Sequence, residues 1–274
     1  MIRLLKIEFK KLFSYKAFWV MLISYLVLQA VMIFSIPGLI DWAAEKSGER
    51  TYFRLFKALV FNFPDIWQNI AYVASGRIFI KVILGIIAII IITNEYHFLT
   101  IRSNIINGLS RNEFLAGKLG LLFLLAFFST LVLVFSGLYL GLVNSVSTAA
   151  SDVFGKMAFI GGYLTELYTY LVFCLFLGIL FKKTGIALIA HVIYMIIEPI
   201  LKYKVLPDGF GPYLPVNAMN NIVQSPNTSL IKLKSSGFNF DFQEFVSISD
   251  VGICVGWASL FILFSWILLK KRNL

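Results

Sequence analysis

Residues 119–143 read LGLLFLLAFFSTLVLVFSGLYLGLV, a run of twenty-five residues without a charged side chain. An α-helix of this length is roughly 37 Å long, whereas the hydrocarbon core of a membrane is about 30 Å thick. A run that is apolar on every side would expose a large apolar surface in water. It therefore predicts a helix that crosses a membrane.

Five further apolar runs have the length of a membrane span. They occupy residues 17–37, 77–93, 159–181, 185–201 and 251–269. The chain is 59% hydrophobic and 14% charged, whereas soluble domains carry about a quarter charged residues. The runs lack the alternation of barrel strands. We expect an all-α, polytopic helical bundle with six transmembrane helices.

The basic residues predict the orientation of this bundle. Thirteen of the 24 Lys and Arg residues, against three acids, lie in segments 1–16, 94–118, 182–184 and 270–274. The segments at the opposite end carry no net charge. Because positive segments stay on the cytoplasmic side, we expect both termini in the cytoplasm. The net charge of +10 then indicates contact with membrane lipids and no nucleic-acid partner.

The same assignment divides the chain into segments. Residues 1–16 have an apolar stripe and a basic stripe, which favours an amphipathic helix in the cytoplasmic interface; a simple basic flank to the first span is the alternative. Residues 17–274 form a single transmembrane domain. Its extracytoplasmic segments are predicted at 38–76, 144–158 and 202–250.

Catalytic and nucleotide-binding signatures are absent from the sequence. The phosphate-binding pattern G-x-x-x-x-G-K-[ST] does not occur, nor do H-E-x-x-H, G-x-S-x-G or C-x-x-C. Cys174 and Cys254 lie in separate apolar runs, which does not suit a disulfide or a metal site. We therefore predict no catalytic residue, no metal ligand and no cofactor bound by this chain.

The polar segment 94–118 reads NEYHFLTIRSNIINGLSRNEFLAGK. Its ordered elements are Glu95-Tyr96, Thr100-x-Arg102, Gly108-x-Ser110-Arg111 and Gly117-Lys118. This order resembles the cytoplasmic loop of ABC-2 type permeases, the membrane subunits of ATP-binding-cassette exporters. Two residues depart from the family pattern: Leu99 stands where glycine is frequent, and Leu109 stands where proline often precedes Ser-Arg.

The resemblance implies a permease that couples through this loop to a separate ATPase subunit, which carries ATP and magnesium. It also implies a dimer with a second permease copy or a paralogue, in a bacterial cytoplasmic (inner) membrane. In the coupling loop, Glu95 would tie the second span to the loop. Arg102 and Arg111 would pair with acids of the ATPase or with Glu95. The alternative is an ordinary solvated loop.

Ionisable side chains inside the membrane are costly and therefore indicate functional positions. His191, Tyr194 and Glu198 share one face of the fifth span, just before Pro199 is expected to interrupt the helix. With Glu166 they form a candidate intramembrane polar path. Glu166 is also a candidate partner for Arg77 or Lys81.

Three other classes of protein stay open at this point. An ion-coupled secondary transporter often shows an internal repeat, and we find none between the two halves. A membrane-embedded lipid-modifying enzyme would use His191 or Glu198 as a base, but it would need a nucleophile or a metal cluster nearby. A membrane protein that binds a partner without transport fits the same composition.

Overall fold

The computed structural model describes residues 2–75, 80–207, 209–224 and 243–271. Its helices are α1 Ile2–Phe13, α2 Lys16–Ser47, α3 Arg50–Val60, α4 Ile66–Ala74, α5 Ile80–His97, α6 Thr100–Ile106, α7 Arg111–Asn144, α8 Ala150–Phe154, α9 Ala158–Phe181, α10 Thr184–Ile200, α11 Pro215–Ile222 and α12 Ile248–Lys271. A π-helical turn, Leu201–Val205, continues α10, and a short 3-10 turn, Gly211–Tyr213, precedes α11.

The described residues contain six helices that are long and apolar enough to cross a membrane, namely α2, α5, α7, α9, α10 and α12. The described residues of each apolar run lie on one of these helices, with residues 80–93 of the second run on α5 and Leu201 of the fifth run in the π-helical turn that continues α10. The predicted all-α bundle with six transmembrane helices is therefore confirmed. The hydrophobic run locates each span because only a helix satisfies its own backbone hydrogen bonds in lipid.

Helix α9 forms the centre of the bundle. It packs against α4, α5, α7, α10, α11 and α12, and most of its length is buried. Small residues allow close approach to α5, since a Cβ at Gly85 would meet Tyr170 and Cys174, and one at Gly178 would collide with Ile92. By contrast, α2, α10 and α12 leave most of their surface outside the core, as expected for helices that face lipid.

Two prolines lie inside helices that continue past them. Helix α2 extends through Pro37 to Ser47, where Gly48 ends it in the left-handed conformation at φ 75°. Helix α10 contains Pro199, ends at Ile200 and widens into the π-helical turn. The regular α-helix thus ends one residue after Pro199, and the expected interruption takes the form of a change from α-helix to π-helix. Proline removes one hydrogen-bond donor, and transmembrane helices tolerate that loss through local π adjustments.

Segments outside the spans also contain helices. Within residues 38–76 the chain completes α2, forms α3 and then forms α4, a nine-residue helix that is buried against α2, α7 and α9. Because α4 has only nine residues, the sequence does not distinguish it as a membrane span. Within residues 94–118 the chain completes α5, forms α6 and begins α7. Ser110 caps α7 and exchanges hydrogen bonds with Glu113 in a capping box.

Two pairs of glycines, each spaced four residues apart, differ in their surroundings. A Cβ at Gly137 or Gly141 of α7 would collide with Trp67 of α4 or with Phe63, whereas Gly252 and Gly256 of α12 face open space.

Gly141→Leu should therefore destabilise the protein by about 1–3 kcal/mol through overpacking. Gly252→Leu is the matched control and should leave the thermal unfolding temperature in detergent unchanged. Equal unfolding temperatures for the two variants would contradict this packing.

Candidate coupling site

Three buried charges and one partly buried charge join the N-terminal helix to the transmembrane bundle. Lys118 of α7 contacts Glu8 of α1 and lies 2.6 Å from Glu95 of α5. Lys11 of α1 lies 3.3 Å from Glu8 and 3.0 Å from Glu95. We call Glu8, Lys11, Glu95 and Lys118 the ion cluster. Its two carboxylates and two ammonium groups balance in charge.

The burial of the ion cluster gives it structural importance. The side chains of Lys118, Glu95 and Glu8 are 2%, 6% and 7% exposed, and Lys11 is 32% exposed. Burying a charge costs several kcal/mol unless partners compensate it, so each member depends on the others. Burial of Lys11 disfavours its charged form, yet the carboxylates of Glu8 and Glu95 outweigh this effect and raise the pKa of Lys11. The stability linked to that shift is present at neutral pH and is lost as the pH rises through the raised pKa.

The ion cluster extends to α6 through one hydroxyl group. The Thr100 side chain, at the start of α6, donates a hydrogen bond to the Glu95 carboxylate. The buried Ile101 holds α6 against the bundle, whereas Arg102 and Ile106 are exposed. Glu95 therefore connects α5 with α6, as well as with α1 and α7.

The remaining residues of the predicted coupling loop shape its backbone or reach other helices. Gly108 adopts φ 92°, a conformation that glycine takes readily. Ser110 caps α7. The Arg111 guanidinium donates 2.6 Å hydrogen bonds to the carbonyl groups of Leu269 and Lys270 at the end of α12. Glu95 pairs with Lys11 and Lys118, so of the two partners that the resemblance implied for Arg102 and Arg111, Glu95 or acids of the ATPase, the structure excludes Glu95.

Leu99, one of the two departures from the family pattern, has a backbone conformation that favours glycine. It precedes α6 with φ 54°, in the left-handed region, and its side chain is 64% exposed. This backbone conformation costs about 1–2 kcal/mol for a residue other than glycine. A glycine at this position, which the resemblance led us to expect, would adopt the same conformation without that cost.

At the opposite end of the bundle Glu166 has the partner that the sequence suggested. Its carboxylate accepts hydrogen bonds from Lys81 at 2.7 Å and from Ser75 at 2.8 Å, and Lys81 also donates to Asn220 of α11. The pairing hypothesis is confirmed for Lys81, and Arg77 lies outside the described residues. This pair ties α5 to α9 and α11.

The face of α10 that carries the other polar-path residues makes three different contacts. His191 Nε2 lies 2.8 Å from the Tyr170 hydroxyl, and Tyr194 packs on the ring of Phe173. The Glu198 carboxylate accepts hydrogen bonds from the backbone N–H groups of Val216 and Asn217 in the first turn of α11. Glu198 also lines a polar cavity of about 410 Å³ together with Lys202, Asn217 and Asn220.

A buried network of hydroxyl groups crosses the middle of the bundle. The sequence did not predict it. The hydroxyl groups of Tyr25, Ser129 and Tyr163 lie within 3.2 Å of one another, and Gln29 bonds to Ser129. Glu8 and Lys11 of the ion cluster were also missed. Glu8 could have been noticed, because it is the one acidic residue in the otherwise basic segment 1–16.

The fold defines an integral membrane protein of the polytopic helical class, with a charged cluster at one end of the bundle. The chain belongs to the ABC-2 family of transporter proteins, because the model of that family matches residues 4–198. The match includes most of α1, every member of the ion cluster and the whole of segment 94–118. No curated protein and no solved structure matches the chain. Membrane subunits of this family generally pair with ATPase subunits.

The ion cluster yields a prediction for stability. Lys118→Met removes one positive charge and leaves the Glu8 and Glu95 carboxylates with Lys11 alone, which should cost about 3–5 kcal/mol. Adding Glu8→Gln restores the charge balance and should recover a large part of this loss. Thermal unfolding of the purified variants in detergent measures both effects. A double variant no more stable than Lys118→Met would show that charge balance does not govern this region.

Proposed function

We propose that the chain is the permease subunit of an ABC-2 type exporter and forms half of a translocation path with a second copy or a paralogue. A separate ATPase subunit, which binds ATP and magnesium, drives it. The proposal depends mainly on one observation: α6 exposes Arg102 and Ile106, while its first residue, Thr100, donates a hydrogen bond to the ion cluster. A displacement of α6 would therefore be transmitted to α1, α5 and α7 through Glu95.

The exposed side chains of this region have the character of a protein-docking surface. Ile106 is 76% exposed, Phe98 is 65% exposed, and Arg102 stands between them on α6. An arginine among large apolar side chains is a frequent composition at the centre of protein interfaces. We assign Phe98, Arg102 and Ile106 to the ATPase-docking surface. Arg111 is assigned to anchoring α12, because its guanidinium is already bonded there.

The membrane location follows from the same proposal. The end of the bundle with α1, α6 and the end of α12 carries the basic segments, and we place it in the cytoplasm, where an ATPase would have access to ATP. We infer a bacterial cytoplasmic membrane from the family resemblance. The opposite end, with α3, α4 and α11, would then face outward.

The test is co-purification with the ATPase under native expression. Tagged wild-type chain should retain an ABC ATPase, identified by mass spectrometry and by magnesium-dependent ATP hydrolysis. Arg102→Glu and Ile106→Asp should each reduce recovery of this subunit at least tenfold, since central interface residues contribute roughly 2 kcal/mol or more.

The control is Arg54→Glu, an exposed arginine on α3 at the other end of the bundle. It carries the same charge reversal and should leave recovery unchanged. If well-folded wild-type protein retains no ATPase, and uptake or efflux instead collapses with an ion gradient, the secondary-transporter alternative replaces this proposal.

A further inference from the structure

A cavity of about 550 Å³ lies beside the ion cluster, between the end of α5, α6 and the turn that joins α9 to α10. Its volume is in the range of roughly 300–1,000 Å³ that small-molecule sites occupy. Among its lining residues are Thr93, Tyr96, Leu99, Arg102, Lys182 and Lys183. The family assignment gives this cavity no role.

The cavity carries a net positive charge. Arg102, Lys182 and Lys183 line it, and none of the three forms a salt bridge with a carboxylate of the described residues. Its one acidic residue is Glu95, whose charge Lys11 and Lys118 already offset. Within the described part of the chain, three cations at a single opening therefore have no carboxylate partner, and this suits an anionic ligand.

The backbone of the α9–α10 turn concentrates that charge. Lys182 ends α9 in the left-handed conformation at φ 59°, and Lys183 is extended, so two consecutive lysines stand at a tight corner. The ammonium group of Lys182 lies 5.4 Å from the ring centre of Tyr96, which also lines the cavity. The next residue, Thr184, begins α10 without a side-chain cap, and the first N–H groups of a helix attract anions.

Exposed apolar side chains also lie near the cavity. They favour an anionic ligand that has an apolar part. Leu99 in its wall is 64% exposed. Ile186 and Ile189, in the first two turns of α10, are exposed at the same end of this membrane-spanning helix. A free phosphate ion would gain nothing from these side chains, whereas a lipid has both an anionic headgroup and apolar chains.

We propose that this cavity binds the phosphate-bearing headgroup of an anionic phospholipid, with the acyl chains against the exposed face of α10. Lys182 and Lys183 hold the phosphate, and Arg102 adds its positive charge to the opening of the cavity. The cavity is at the end of the bundle that we expect to face the cytoplasm, the side where anionic lipids are abundant. The proposal does not depend on ATPase coupling, since the lipid and this chain suffice.

The experiment uses the full chain, purified in detergent without any ATPase. Native mass spectrometry measures binding of phosphatidylglycerol and of phosphatidylcholine with matched acyl chains. We expect preferential binding of phosphatidylglycerol. Lys182→Gln/Lys183→Gln should weaken it by roughly 20-fold, because each lysine near an anionic lipid contributes about fivefold. Both residues lie outside the ATPase-docking surface, so loss of lipid binding and loss of ATPase recovery remain separate results.

The matched control is Lys270→Gln/Lys271→Gln, which removes two exposed charges from the same end of the bundle, in the last turn of α12. It should retain the affinity for phosphatidylglycerol. Equal weakening in both double variants would indicate general surface attraction and would overturn the site. So would full displacement of the lipid by millimolar inorganic phosphate, which would identify a soluble anion as the ligand. An unchanged affinity in Lys182→Gln/Lys183→Gln, with unfolding temperatures equal to wild type, would also contradict the proposal.

Discussion

Four charges that cannot be separated without a large energetic cost organise one end of this protein. Lys118 is 2% exposed and has both Glu8 and Glu95 as partners, while Lys11 completes the balance. Because each ion would be strongly unfavourable alone in this environment, the cluster fixes α1 against α5 and α7. Thr100 adds α6 to the same unit through Glu95. A short amphipathic helix and a seven-residue helix, neither stable alone, thereby acquire a defined position.

The opposite end of the bundle uses the same principle with different residues. Lys81 and Glu166 pair in a buried position, and Asn220 links this pair to α11. Glu198 binds the first turn of α11, so one carboxylate and the Lys81 ammonium group hold this short helix. Between the two charged ends, the hydroxyl network of Tyr25, Ser129 and Tyr163 joins α2, α7 and α9. The central helix α9 thus contributes both Glu166 to the Lys81–Glu166 pair and Tyr163 to the hydroxyl network.

The apolar runs were sufficient to predict the six spans, because a lipid-facing helix must be apolar over a length that few other structures require. Helix α4 was missed, since its nine residues fall below that length. The family resemblance identified Glu95 and Arg102 as residues of the loop, but not their partners. Glu8 lies 110 residues from Lys118 in the chain, and no local pattern indicates which distant charges will meet. Leu99 shows the reverse case, in which a departure from the family pattern acquires a physical meaning only from its φ angle.

The account makes α1, α5, α6 and α7 a single rigid unit held by the ion cluster, on which both an ATPase and a lipid headgroup would act. The distance between spin labels on α1 and α6, measured by pulsed electron paramagnetic resonance, tests this directly. Lys10→Cys and Ser103→Cys are exposed positions for the labels, and the native Cys174 and Cys254 are buried. We predict one narrow distance distribution that broadens when Lys118→Met is added. A broad distribution in the labelled parent protein, or one that Lys118→Met leaves unchanged, would contradict the account.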